Sequence, residues 1–367
     1  MKWMAVAKRI FTCCRAKCSG VTVAHIGVTS GVCLICAFAL QACDSESPAE
    51  NRTAVQEGGR ELQHFIQSIR TNLVFVQGGE FLMGDYGAKY GPEKLRYDSD
   101  NDSKPLHKVE LTSYSIGKFK VTNSEYQFYL RRNRLKLRVH ENDWDGEVAA
   151  MDTASDTPAH VDWYDAEKYC GWLAAISDLP FALPTEAQWE YAARSRGQFL
   201  MVATDDGSYK AESLGKRTRV YSPRGINIST NGDREAFGKA MAWKTDTLSP
   251  LPVDMFPPNP LGLYSMSDNG YEWVKDWYDP AYYQDSPVKD PQGPVNPVHQ
   301  DKFGRYTKVL RGQSHADPYW GGGVNVYRST EDPYSRFGKK GWVSVRSNTV
   351  RCVVNSAANL GAASPVK

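Results

Sequence analysis

The stretch that most constrains this chain is Pro257–Tyr278, PPNPLGLYSMSDNGYEWVKDWY. A Pro-Pro-Asn turn opens it and leads into an apolar run, Leu261, Leu263, Tyr264 and Met266. A Ser-Asp-Asn-Gly knuckle follows, and Glu272-Trp273 and Asp276-Trp277-Tyr278 close the stretch. Two readings are open. Turn carbonyls beside carboxylates suit a hard cation such as calcium. The same string also makes a plain turn over a small aromatic core.

The stretch resembles the signature of the formylglycine-generating-enzyme (sulfatase-modifying-factor) family. Gly262, Leu263, Tyr264, Met266, Asn269, Glu272, Trp273, Asp276, Trp277 and Tyr278 stand in the matching places. Other segments are similar to the family in the same order: GGEFLMG from Gly78, KFKVTN from Lys118, LPTEAQWEYAAR from Leu183, VLRGQS from Val309, and VRCVV from Val350. The resemblance implies an α+β fold over residues 73–355, the family's variant of the C-type-lectin-like fold, rich in irregular structure. Such backbone is costly to order, and bound cations or a disulfide offset part of that cost.

Local patterns place the helices. Leu62, Phe65, Ile66 and Ile69 recur at helical spacing, which predicts an amphipathic helix over 59–72. Thr122 and Asn123 cap a helix from Ser124 to Leu130. A helix starting near Asp165 buries Ala166, Tyr169, Cys170 and Leu173. Thr185 with Gln188 forms a capping box that turns Trp189 to the core. Glu186 and Glu190, four apart on that helix, read as anchoring salt links. The acid-rich loop from Tyr86 to Lys104 reads as solvated, and His107 as structural.

The first twenty residues hold five basic side chains and no acid, and the remainder is slightly acidic. An apolar run from about Ile26 to Leu40 follows, then Leu40-Gln41-Ala42-Cys43. This is the plan of a bacterial lipoprotein signal, and the run is short for a membrane span. Residues 1–42 are therefore expected as signal peptide, with Cys43 lipidated. Residues 43–58 are expected as a flexible tether and 356–367 as a mobile tail. Asp44 resembles an inner-membrane retention signal, which implies the periplasmic face of the inner membrane in a Gram-negative-type bacterium. No run of Lys and Arg suggests nucleic acid.

Of eight cysteines, only Cys170 and Cys352 lie beyond Cys43, an even pair suited to an oxidising compartment. No zinc site is expected. Members of the family that make formylglycine bind copper(I) through two cysteines after the RGGS strand, since a soft cation wants thiolates. Here Asp317 and Gly322 occupy those places. Copper and cysteine oxidation are not expected, and no catalytic residue is assigned. The resemblance places Cys170 and Cys352 where some members form a structural disulfide.

The resemblance also implies calcium, held by the Ser265 side chain, the carbonyls of Asp268 and Gly270, and the Glu272 carboxylate. A second set would use Asn227 and Ile228 with Glu235 and Phe237. The expected activity is binding of another protein, a secretion-system component (type VI accessory) or a toxin met by an immunity protein. The contact cleft would be rimmed by Arg311, Ser314, His315, Asp317, Tyr319, Trp320 and Arg328, residue types favoured in binding hot spots. Gly321-Gly322-Gly323 would keep that rim adaptable. The alternative is an oxidase with a non-heme-iron-type site at His315 and Asp317, which lacks a second His nearby.

Overall fold

The computed structural model describes residues 48–137, 146–212, 223–244, 249–316, 318, 321–337, 339–340, 342–343 and 347–360. The signal segment, Cys43 and the tail beyond 360 lie outside the described residues. The chain divides into two units, Met1–Ala54 and Val55–Lys367. The second unit carries all the described strands, and every described helix apart from the first turns of the N-terminal one. Among the described residues no helix is long and apolar enough to cross a membrane.

Helix α1 runs Pro48–Thr71, so helix replaces most of the expected tether. Proline fits the first helical position because its ring fixes φ and no N–H is missed there. Gly58 and Gly59 together weaken a helix by about 2 kcal/mol relative to alanine. Tertiary packing further along holds it. Phe65 stacks on Phe128 at 4.3 Å, Ile66 is buried, and Arg70 Nη2 donates to the Ser177 carbonyl at 2.8 Å.

Strands β1 (Leu73–Val76) and β2 (Gly79–Met83) follow, then the short α2 (Gly87–Tyr90), β3 (His107–Leu111) and β4 (Tyr114–Gly117). Helix α3 (Asn123–Arg132) has Thr122 as N-cap in a capping box with Glu125. After α4 (Glu147–Met151), helix α5 (Trp163–Ser177) is capped by Asp162, three residues before Asp165. Strand β5 (Phe181–Ala182) leads to α6 (Glu186–Ala193), capped by Thr185 with Gln188 closing the box. Helix α7 (Asn231–Ala240) has the same device, Thr230 with Asp233.

The last third is mostly strand: β6 (Gly270–Trp277), then α8 (Tyr282–Asp285), β7 (Lys308–Gln313) and β8 (Ser329–Glu331). The short β9 (Arg336–Phe337), β10 (Trp342–Val343), β11 (Asn348–Thr349) and β12 (Val353–Val354) complete it. One sheet has the order β1-β4-β12-β5 and another β11-β6-β7-β8, with two-stranded ribbons β2-β3 and β9-β10 beside them. The β11–β6 pair is parallel and β6–β7 antiparallel.

Two apolar clusters meet at this frame. One gathers Val76, Val109, Ile116, Trp189, Met266 and Val353. The other joins α3 and α5 through Tyr129, Tyr169 and Leu173 to Trp273 and Leu310. Trp189 and Trp273 are both fully buried, and truncating either to alanine costs about 3–5 kcal/mol. A disulfide between Cys170 on α5 and Cys352, just before β12, spans a sequence separation of 182. It ties α5 to the segment that enters β12.

Candidate functional site

The Pro257–Tyr278 stretch turns through left-handed backbone at Ser265 (φ 55°), Asn269 (φ 63°) and Gly270 (φ 110°) before entering β6. Gly270 is required there, since a Cβ would lie 2.4 Å from Thr349 Cγ2. Asn269 fixes the turn with its side chain, accepting from Leu251 N at 2.9 Å and donating to Leu251 O at 2.8 Å.

Two residues on, Glu272 is fully buried and both its oxygens are committed. Oε1 accepts from Lys120 Nζ at 2.7 Å and from Arg351 Nη2 at 2.8 Å. Oε2 accepts from Trp189 Nε1 and Arg351 Nε, both at 2.9 Å. Burial alone would raise this carboxyl, but Arg351 and then Lys120 hold it down to about 2.

This arrangement does not fit the expected calcium set. Lys120 Nζ also lies 2.8 Å from the Gly270 carbonyl, so a lysine ammonium sits between two of the donors assigned to the metal. The Asp268 carboxylate is engaged as well: Oδ1 accepts from Arg234 Nη2 at 2.6 Å and from Ala316 N at 3.0 Å, and Oδ2 accepts from the Ser229 hydroxyl. Ser265 Oγ donates to the Val253 carbonyl at 3.2 Å. The second set fares alike. Asn227 Nδ2 donates to Asp205 Oδ1 at 2.7 Å and its Oδ1 accepts from Lys210 N at 2.8 Å. The Ile228 carbonyl is turned into the Gly225 turn, 1.9 Å from where a Cβ on Gly225 would sit. Among the described residues no group of three or more His, Cys, Asp and Glu could hold a metal ion.

The expected contact cleft also needs correction. Arg311 is fully buried and Arg328 nearly so, and neither rims a surface. Arg311 donates to Glu186 Oε1 at 2.7 Å and to Glu190 Oε2 at 2.8 Å. Arg328 grips Glu186 through Nε at 2.7 Å and Nη2 at 2.9 Å, and Arg194 pairs with Glu190 at 2.8 Å. Two carboxylates one helical turn apart on α6 are thus shared by three guanidiniums, with Arg328 against Glu186 fork to fork. The Glu186 carboxyl, which burial would raise, is lowered by Arg328 and Arg311. The anchoring role expected of Glu186 and Glu190 is what the geometry displays.

Ser314 and His315 are half-buried, with the Ser314 carbonyl accepting from Gly270 N at 3.2 Å. Asp317, Tyr319 and Trp320 lie outside the described residues. Gly321, Gly322 and Gly323 all have positive φ, and a Cβ on Gly323 would meet the Ser267 carbonyl at 1.9 Å. Gly323 is there for close approach, whereas a Cβ on Gly322 would meet only the Gln313 side chain and one on Gly321 would meet nothing within 4 Å.

Other polar features had no sequence signal of their own. Lys308 Nζ lies 3.9 Å from the ring centroids of both Trp163 and Trp277. Burial lowers its pKa to about 8. Asp276 accepts from Glu186 N at 2.9 Å. Burial and the nearby Glu186 raise it to about 7. Glu331, bonded to Asn348 Nδ2 at 2.9 Å, is raised by burial to about 7. Only pairing in space, across 90 residues for Asp276 and Glu186, brings these groups together.

Comparison with known proteins agrees with this frame. Residues 61–354 match the sulfatase-modifying factor enzyme 1-like domain. A formylglycine-generating enzyme of Streptomyces coelicolor is 27% identical over 73% of this chain and 87% of its own. A protein of Chlamydia caviae named serine/threonine-protein kinase pkn1 is 28% identical over 67% of this chain. This chain spans only 34% of that relative's length. The solved structure of PvdO from Pseudomonas aeruginosa aligns with TM-score 0.50 at 20% identity, covering 77% of this chain and 93% of PvdO. The α+β frame, the Gly262–Tyr278 turn and strand, and the family match across four-fifths of the length converge: the chain belongs to the sulfatase-modifying factor (formylglycine-generating enzyme) domain family.

Proposed function

We propose that this chain is a periplasmic lipoprotein, anchored through Cys43, whose domain binds another protein and performs no copper-dependent cysteine oxidation. The Cys170–Cys352 disulfide carries the reading. These are the only cysteines of the domain, and bonded to each other across the core they offer no thiolate pair to copper(I). Gly322 stands at one of the two places where a copper thiolate would be needed, and it has no side chain at all.

Without that chemistry the frame remains as a scaffold, and its surface supports a binding role. The proline-rich segment from Val288 to Tyr306 exposes Val295 at 93%, Val298 at 57% and Val288 at 47%. These exposed aliphatics are what the proposed protein contact would cover. The lipid anchor rests on the Leu40-Gln41-Ala42-Cys43 plan.

The test has two arms. Labelled palmitate should enter the full chain and not the Cys43→Ser chain. A photo-crosslinker at Val295 should capture one defined envelope protein, and Val298→Asp should abolish that capture without changing the melting temperature. Labelling that persists in Cys43→Ser, or capture indifferent to Val298→Asp, would refute the corresponding arm.

A further inference from the structure

We propose that Lys120 is a built-in cation: its ammonium takes the place of a divalent ion between the Gly270 carbonyl and the Glu272 carboxylate, making this domain independent of calcium there. The ammonium is seated as an ion would be. It has no solvent exposure, and it lies 2.8 Å from the Gly270 carbonyl and 2.7 Å from Glu272 Oε1. Those are oxygen donors of the kind a hard cation takes. The side chain reaches them from the segment between β4 and α3, 150 residues away in sequence from Gly270. Burial lowers Lys120 to about 8, opposed by Glu272, so it keeps its proton at neutral pH.

Charge excludes a second occupant. Glu272 already faces two cations, Lys120 and Arg351. Asp268 beside it is neutralised by Arg234. Adding a divalent ion would place it against an ammonium in a site sealed from screening water.

Two other lysines pair with acidic turns nearer the surface. Lys210 Nζ is 2.7 Å from Asp206 Oδ2 and 3.8 Å from Asp205 Oδ2, next to Asn227. Lys104 Nζ donates to the carbonyls of Asp98 and Asp100 and lies 3.6 Å from Asp85 Oδ2.

The experiment is thermal unfolding of the full chain and of its Lys120→Ala variant, each in excess chelator and in millimolar calcium. The wild-type melting temperature should be the same in both, and the variant should melt several degrees lower in chelator. Calcium should recover part of the variant's loss. A wild-type melting temperature raised by calcium would overturn the proposal, as would a Lys120→Ala loss that calcium leaves untouched. Should Lys120→Ala fail to fold, calcium binding to the wild-type chain decides. No binding that depends on Glu272 supports a resident lysine, and stoichiometric binding lost in Glu272→Gln overturns it.

Discussion

Replacing Glu272 by glutamine removes one negative charge from a site where Lys120, Arg351 and Trp189 all donate to it. Size and shape are kept, so the loss reads out charge pairing rather than packing. Two routes give the magnitude. Breaking a buried ion pair by removing one partner costs about 3–5 kcal/mol, because the partner is left desolvated and unpaired. Linkage gives an independent figure. The carboxyl lies at about 2 against an ordinary value of 4.5, and that difference corresponds to about 3 kcal/mol. Because the folded-state pKa is the lower one, this stability is present above pH 4.5 and is lost as pH falls through about 2. Urea unfolding of the full chain at neutral pH should therefore show Glu272→Gln less stable by about 3 kcal/mol. Below pH 4.5 the wild type should lose stability more steeply than the variant. A variant within about 1 kcal/mol of wild type, the ceiling for exposed pairs, would refute the view that these cations depend on Glu272.

Three other perturbations probe different parts of the frame. Converting Cys170 and Cys352 together to alanine frees a loop of 182 residues and should cost about 5 kcal/mol, read as a shift in urea midpoint that reductant reproduces in the wild type. Asp276, raised from 3.8 to about 7, contributes stability that is present below pH 3.8 and lost as pH rises through 7. Asp276→Asn, which keeps the acceptor for Glu186 N, should gain up to about 4 kcal/mol on wild type between pH 4 and pH 8, and parallel pH profiles would exclude this role. Arg311→Lys cannot grip Glu186 and Glu190 at once and should cost about 2–4 kcal/mol in equilibrium unfolding; an unchanged free energy would mean the shared grip is dispensable.

Local chemistry was legible in the sequence wherever cause and effect lie within a few residues. The capping box of Thr185 and Gln188 set the start of α6, and the stripe Ala166, Tyr169, Cys170 and Leu173 faced inward on α5. The family motifs supplied the frame that such local signals cannot. What failed was the environment of charged groups. Arg311 and Arg328 looked like rim residues because arginine is favoured in binding hot spots, yet every residue from Lys308 to Arg311 is buried. Glu186 and Glu190 accept from Arg311, 125 and 121 residues away, and Glu186 also accepts from Arg328, 142 residues away. Glu272 looked like a calcium ligand because nothing in its neighbourhood announces Lys120, 152 residues upstream. The start of α1 was missed for a different reason: a polar, glycine-containing stretch reads as coil unless its far end is pinned, and the pinning comes from Phe128 and Trp172.

The measurement that bears most directly on the central claim is oxygen consumption by the full chain after copper loading, in the presence of a cysteine-containing peptide. With Cys170 and Cys352 tied to each other, the protein should retain no stoichiometric copper after desalting and should leave the peptide thiol unchanged. One tightly held copper per chain, with peptide cysteine converted to aldehyde at the expense of oxygen, would contradict the binding-module reading outright.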